Sequence, residues 1–365
     1  MNSTLETDYK DYIKDGIFYF IVWGNQDPIS IHNAIKDNAD FHTLCVLGPQ
    51  EHESVALFDT EIRYQFLKGY LELHNKKLII SMGATDKDYN YRYFQHRKDV
   101  PTIPWDTFLL NYVVRNQADN NRLSYGHTEI TKAFTSLNNR GHDFRLRFLD
   151  HMSKHGLMDK GFVSFHNDSQ SLNFHNYKFR WWKPRLTRLD KTFNSINGNY
   201  LIPPLQWKNS LWSVVSESNT ETVFVTEKTY LPIWHKRPFI TYSAPYYYRY
   251  LKELGFKLYD SMVDYSFDEI DDDDMRCDMM MRQVKKITTL NHQKVLKKLQ
   301  PTIEYNFRHM CKLVQDNTHL DITLQNMINN GPDSLSEYRD VLNYGQSDRF
   351  RNYMINNNMK DYLIE

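Results

Sequence analysis

Short apolar runs that close in glycine or a polar turn alternate along this chain with stretches whose apolar positions recur at helical spacing. GIFYFIVWG (16–24) is aromatic and β-branched and ends in Gly24, the pattern of a buried first strand. NQDPISIHNAIKD follows as a loop and a helix, and FHTLCVLG (41–48) as a second strand ending in Gly-Pro. FDTEIRYQFLKGYLELHNKK has helical periodicity, and KLIISMG (77–83) reads as a third strand. From DVPTIPWDTFLLNYVVRN onward the pattern is irregular; it resumes with a helix at DFRLRFLDHMSKHG and a strand at KGFVSFHN. Residues 167–207, rich in Asn, Ser, aromatic and basic residues, read as a long excursion. A second alternating region follows: strand LWSVVSE, a helix from Glu227, strand RPFITYS, helix YYYRYLKELG and strand FKLYD. The last 80 or so residues are mostly helical by pattern, with CDMMMRQVKKITTLNHQKVLKKLQ the clearest case. Strands alternating with helices predict an α/β fold with parallel sheets. The two alternating regions predict two Rossmann-like lobes with a cleft between them and a helical C-terminal tail.

Composition narrows the class. The 365 residues suffice for two domains, and 41% hydrophobic with 15% aromatic residues supports a substantial core. The formal net charge is zero, 45 basic against 45 acidic, so the whole-molecule field does not announce a nucleic-acid partner. Cys45, Cys277 and Cys311 are far apart and odd in number, which argues against a disulfide framework or a structural zinc site. The polar start MNSTLETDYKDYIKDG is not a signal-peptide pattern, and no apolar run nears the roughly 20 residues of a membrane span. The expectation is a soluble protein of a reducing compartment, cytoplasmic, with no membrane span.

The chemistry concentrates in SESNTETVFVTEKTYLPIWHKRPFITYS (216–243), read as strand end, loop, helix and strand. In an open parallel sheet, ligands bind beyond the carboxyl ends of the strands. The helix after the loop turns its free N–H groups and positive dipole end toward that crevice, a setting that favours a phosphate. Lys228 adds a full positive charge for a diphosphate, and the Glu227 carboxylate suits the paired hydroxyls of a ribose or sugar. The same residues also fit an ordinary helix start, with Thr226 the N-cap, Glu227 complementing the dipole and Lys228 solvated.

SESNTETVFVTEK resembles the donor-binding signature of the fucosyltransferase family, an acid-Asn-Ser segment followed by an aromatic residue and Thr-Glu-Lys. Glu217 matches the acid, Phe224 the aromatic, and Thr226, Glu227 and Lys228 the triplet. Ser218-Asn219 stands where Asn-Ser is usual, and Phe224 replaces a Tyr, so the resemblance leaves the nucleotide open. A wider likeness, from about Asn139 to Arg276, is to glycosyltransferases of bacteriophages and large viruses. It is carried by NNRGHDFRLRFLDHMSKHGLMDKGFVSF, VTEKTYLPIWHKRPFI and LKELGFKLYDSMVDYSFDEIDDDDMR. The pattern divides the chain into residues 1–125, 126–330 and a helical C-terminal tail, 331–365; the resemblance implies a GT-B-like fold in which the first is an acceptor-side Rossmann-like lobe and the second the nucleotide-sugar donor lobe. It implies transfer of a sugar from a nucleoside-diphosphate sugar to a hydroxyl of a glycan or of a hydroxymethylated base in viral DNA. The compartment would then be the host cytoplasm. In the resembling proteins a basic residue near NNRGHDFRLRF faces the donor phosphates; Arg140 and Arg145 are the candidates here, and surface arginines on an amphipathic helix are the plainer alternative. Ser216, Glu217 and Asn219 would line the donor pocket.

Three further groups complete the candidates. DEIDDDDM (268–275) has the look of a metal-binding Asp-x-Asp motif, but it precedes a helical pattern and reads as an acidic first turn on a solvated face. No metal ligands are assigned and no essential cofactor is expected, since Lys228 and the arginines can offset a leaving diphosphate's charge. YKFRWWKPRLTRLDK (177–191) interleaves basic and aromatic residues. Arg180, Trp181, Trp182 and Lys183 could bind the acceptor, or the segment could be a structural excursion with its Trp buried and Arg solvated. An inverting transferase needs a base for the acceptor hydroxyl. Asp27, Glu51 and Glu53 follow predicted strands directly, with His52, Asp86, Asp88 and His127 as further options, and a retaining reaction would need none of them. The competing function is a non-enzymatic nucleic-acid-binding protein using 177–191, and a third is a degenerate transferase fold kept as a binding module.

Overall fold

The computed structural model describes residues 12–21, 35, 40–48, 69–82, 102–104, 108–122, 126, 129–138, 141–165, 177–182, 201–218, 220 and 223–364. The chain packs as two compact units, one of residues 1–111 with 317–344 and the other of 112–316 with 345–365. Sequence pattern drew the boundary at 125/126 with a separate tail from 331.

The first unit holds a sheet of order β1-β2-β3-β4-β5: β1 (Ile13–Lys14), β2 (Ile17–Ile21), β3 (Thr43–Gly48), β4 (Lys77–Met82) and β5 (Thr102–Pro104). The hairpin partner β1 is antiparallel and the remaining pairings are parallel. Leu44, Cys45, Val46 and Leu47 of β3 are fully buried, as expected for a central parallel strand covered on both faces. Asn111 explains why 317–344 belongs here. Its amide donates to Asn317 Oδ1 and to the Leu342 carbonyl, both at 3.1 Å, and Lys14 donates to the Gly331 carbonyl.

The second unit is built on a parallel four-stranded sheet of order β7-β6-β8-β9. Its strands are β6 (Lys132–Ser136), β7 (Gly161–Val163), β8 (Ser210–Ser216) and β9 (Phe239–Tyr242). Gly161 lies against the Phe134 ring so closely that a Cβ would sit 2.3 Å from it, which fixes glycine at the β6–β7 register. The division at 111/112 falls within α1 (Phe108–Asp119), and the second unit continues with α2 (Asp143–Lys154), α3 (Glu227–Trp234), α4 (Tyr247–Glu253), α5 (Asp273–Thr288) and α6 (His292–Asp316). Then α7 (Ile322–Asn330) and α8 (Ser336–Leu342) fall in the first unit, and α9 (Asp348–Asn356) in the second.

Three sequence expectations need correction. The stretch that looked irregular contains β5, α1 and β6. FKLYD is not a strand: among the described residues no strand pairs with it, and the Asn306 side chain of α6 takes both backbone groups of Lys257, at 2.8 and 2.9 Å. The side-chain amide thus supplies the two-point bond that a ladder partner would give. The acidic run does begin a helix, with Asp272 accepting from the Met275 N–H as the α5 cap. Its Asp273 and Asp274 are ion-paired rather than merely solvated, however, as described below.

Candidate functional site

In the second unit's sheet the chain runs from β6 outward to β7 and then returns to the other side of β6 for β8 and β9. The order therefore reverses between β6 and β8, and ligands of open α/β sheets collect beyond the carboxyl ends of such a strand pair. Ser216 ends β8 there, and the chain passes through Glu217 and Ser218 before Thr226 opens α3.

The turn is organised by a carboxylate with no exposed surface. Glu217 accepts from the backbone N–H groups of Ser218 and Thr226, from the hydroxyls of Thr226 and Thr229, and from the Tyr247 hydroxyl of α4. Charge buried this deeply is tolerable only when its lone pairs are satisfied. Burial, reinforced by the Glu217 charge, pushes the Tyr247 phenol well above its ordinary pKa, so it remains a neutral donor. Glu217 therefore does not present its carboxylate to solvent. Ser216 is also buried, and its Oγ has no hydrogen-bond partner among the described residues.

Above this base sits the charged pair. Thr226 is the N-cap of α3, its hydroxyl accepting from the Lys228 N–H at 3.2 Å. The Lys228 ammonium reaches back over the helix start to Ser218 Oγ at 2.7 Å, Glu227 Oε1 at 2.9 Å and Thr226 Oγ1 at 3.2 Å. Its side chain is 28% exposed, and that of Glu227 is 18%. Burial alone would raise the Glu227 carboxyl, but Lys228 and the hydrogen bonds at the helix start bring it below its ordinary value. The group is therefore ionised at neutral pH. The site thus presents an ammonium and a carboxylate side by side on a helix N-terminus, able to meet an anion and a hydroxyl-bearing group together.

The other sequence candidates fall in three places. Arg145 stands in the first turn of α2, directly after β6; it is 5% exposed, with its guanidinium over the Phe144 ring. Arg147, two residues on, is committed to α5, with ion pairs to Asp273 at 2.9 Å and Asp274 at 3.0 Å. Asp273 also pairs with Arg276, and Asp274 with Arg180 at 3.3 Å. The segment around Arg180 is held by Asp150 of α2, which is fully buried and accepts from the consecutive N–H groups of Arg180, Trp181 and Trp182. Trp181 is 40% exposed, with the Lys154 ammonium 4.6 Å from its ring centroid. Trp182 is 7% exposed and packs edge-on against Phe165 and Phe179, so the expected acceptor surface there narrows to Trp181 and Arg180. Asp27, Glu51, Glu53, His52, Asp86, Asp88, His127, Arg140, Lys183 and Asn219 lie outside the described residues.

Sequence reasoning missed Ser218, Thr229, Tyr247 and Asp150. Ser218 stood inside the matched segment. Tyr247 and Asp150 reach their partners across 30 residues, a distance at which spacing carries no signal.

No protein-family model matches the chain, and no curated protein matches it. Among solved structures the chain is similar to one described as the DNA-modifying enzyme β-glucosyltransferase, in the presence and absence of the substrate uridine diphosphoglucose. The two are 9% identical, with a TM-score of 0.43 over 92% of this chain and 81% of that one.

Proposed function

We propose that this chain is a glycosyltransferase that moves a sugar from a nucleotide-sugar donor to a hydroxyl acceptor. The observation that carries the reading is the placement of the Lys228 ammonium. It is folded back over the N-terminus of α3, at the carboxyl edge of a parallel sheet and beside an ionised Glu227.

The chemistry follows from charge. When the sugar departs, the nucleoside diphosphate gains negative charge, and preorganised donors aimed at it lower the barrier. The Lys228 ammonium at the N-terminus of α3 is such a donor, and an incoming phosphate oxygen would exchange with one of the hydroxyls that now hold it. Glu227 accepts hydrogen bonds from ribose or donor-sugar hydroxyls. Arg140 and Arg145 add positive charge from the β6–α2 side, so the reading assigns no step to a metal. Asp27, Glu51 and Glu53 are the proposed sources of a base for the acceptor hydroxyl. Trp181 and Arg180, with Lys183 beyond them, are the proposed acceptor contacts, for a glycan or a hydroxymethylated DNA base.

The test is a thermal-shift screen of nucleoside diphosphates and their sugars, followed by measurement of nucleoside diphosphate release. A donor should raise the melting temperature and be consumed. Failure of every nucleoside diphosphate to bind at millimolar concentration would remove the proposal.

A further inference from the structure

Among the described residues Lys228 has two hydroxyl acceptors, Ser218 Oγ and Thr226 Oγ1, and both residues are tied to the same buried carboxylate. We infer that Glu217 is a positioning residue that sets the direction of the Thr226 hydroxyl, anchors Ser218 through its backbone N–H, and thereby aims the Lys228 ammonium. The inference deepens the donor-site proposal and rests on it for its ligand arm.

The argument is one of proton direction. Thr226 sends its N–H to Glu217 Oε1 at 3.0 Å and its hydroxyl proton to Glu217 Oε2. A hydroxyl has one proton and two lone pairs. With the proton committed to Glu217, both lone pairs of Thr226 are left as acceptors. They take the Lys228 N–H and the Lys228 ammonium, each at 3.2 Å. The Ser218 N–H is drawn to Glu217 Oε2 at 3.1 Å, which fixes the residue whose Oγ accepts from the same ammonium at 2.7 Å. The other side of Glu217 is filled by Thr229 and Tyr247, so the carboxylate cannot turn away. A glutamine at this position would bring an NH2 group against donors that now need acceptors. Thr226 could then accept from the amide, and its own proton would point toward the ammonium. A carboxylate at 217 is therefore required for the ammonium to stay where it is, although Glu217 itself touches no solvent.

Two measurements test this. In the ligand-free protein, hydrogen exchange of the Lys228 ammonium can be followed by NMR, with the signal assigned by its loss in Lys228→Arg. Glu217→Gln should accelerate the exchange at least about tenfold, the loss of one charge-assisted hydrogen-bond network. Thr226→Val, which removes only the relaying hydroxyl, should act in the same direction, and Glu253→Gln on the exposed face of α4 should not. In the ligand arm, UDP and GDP are titrated into wild type, Glu217→Gln, Lys228→Ala and the double variant. Glu217→Gln should weaken binding about tenfold, and the double variant should bind no more weakly than Lys228→Ala alone. Additive losses, or unchanged exchange in a folded Thr226→Val or Glu217→Gln protein, would overturn the inference. Should wild type bind neither nucleotide, the exchange arm alone decides the role of Glu217. If Glu217→Gln does not fold, Thr226→Val decides it.

Discussion

The Glu227 carboxylate and the Lys228 ammonium, adjacent in sequence, meet at 2.9 Å across the first turn of α3. Neighbouring residues on a helix do not face each other. The contact forms because the lysine curls back toward the helix start, the direction in which helical side chains lean. Each side chain keeps some exposure, so the pair adds at most about 1 kcal/mol to stability. Its value lies in what it presents to a ligand. Lys228→Met should leave the melting temperature within a few degrees of wild type and lower nucleotide-sugar turnover by about 10²- to 10³-fold, the usual effect of deleting one electrostatic stabiliser. Glu227→Gln should fold equally well and lose donor affinity. Full turnover in both variants would remove the site assignment.

The loop carrying Arg180 and Trp181 makes a separate prediction. Asp150 Oδ1 and Oδ2 collect three successive backbone N–H groups at 2.6 to 2.9 Å. Asp150→Ala would leave those donors without their acceptor and release the segment, at a cost of about 1–3 kcal/mol. Limited proteolysis should then cut near 177–182 under conditions that leave wild type intact. UDP and GDP binding should be unchanged if this segment serves the acceptor alone.

Much of this architecture was legible from period and punctuation. The runs that became β2, β3, β4, β8 and β9 are apolar and bounded by turn residues, and Thr226 stood out as the N-cap of α3. β6 was missed because KAFTS is short and has a lysine at its start. The stretch FKLYD misled because its buried Phe256, Leu258 and Tyr259 have the composition of a strand. Its hydrogen-bond partner is the side chain of Asn306, which no local pattern reveals. At the site, residue types were readable and depth was not. Glu217 and Lys228 both looked like pocket charges, yet the first is the fully buried support and the second the partly exposed group it carries.

Asn306 should therefore be among the costly positions of the second unit. Its amide is 1% exposed and replaces a strand edge for Lys257. Asn306→Leu keeps the volume and strands both backbone groups, for an expected loss of about 2–4 kcal/mol. Chemical denaturation should show a lower midpoint with an unchanged slope.

The α2–α5 contact should be acid-sensitive. Asp278 meets Lys154 at 2.6 Å, His155 at 2.8 Å and Arg282 at 2.9 Å. Burial alone would raise its carboxyl, but these hydrogen bonds hold it well below the ordinary carboxylate range. A depressed carboxyl contributes stability that is complete above its unfolded value and is lost as pH falls toward the folded one. Asp278→Asn should cost about 1–3 kcal/mol at pH 7, and the gap between variant and wild type should narrow below pH 3.8. Urea unfolding at pH 7 and pH 3 measures both; a gap that stays constant would count against the pairing.

Asp268 should behave in the opposite sense. It is 6% exposed and caps α4 from outside the helix, accepting from the Tyr248 N–H with both carboxylate oxygens and from the Arg249 N–H, all at 3.0 Å. Burial outweighs those bonds and the Arg276 charge, and raises its pKa from 3.8 to about 6. The folded state therefore binds this proton more tightly than the unfolded state does. The resulting stability is complete below pH 3.8 and is lost as pH rises through about 6. Over that window the change amounts to about 2–3 kcal/mol. Asp268→Asn keeps an acceptor for the helix start and cannot ionise, so its stability should be flat where that of wild type declines between pH 4 and 7, once other groups are matched by difference. Asp268→Ala also removes the cap and should lose about 0.5–2 kcal/mol more than Asp268→Asn at every pH. Parallel pH profiles for wild type and Asp268→Asn would show that the buried carboxyl does not titrate in this range.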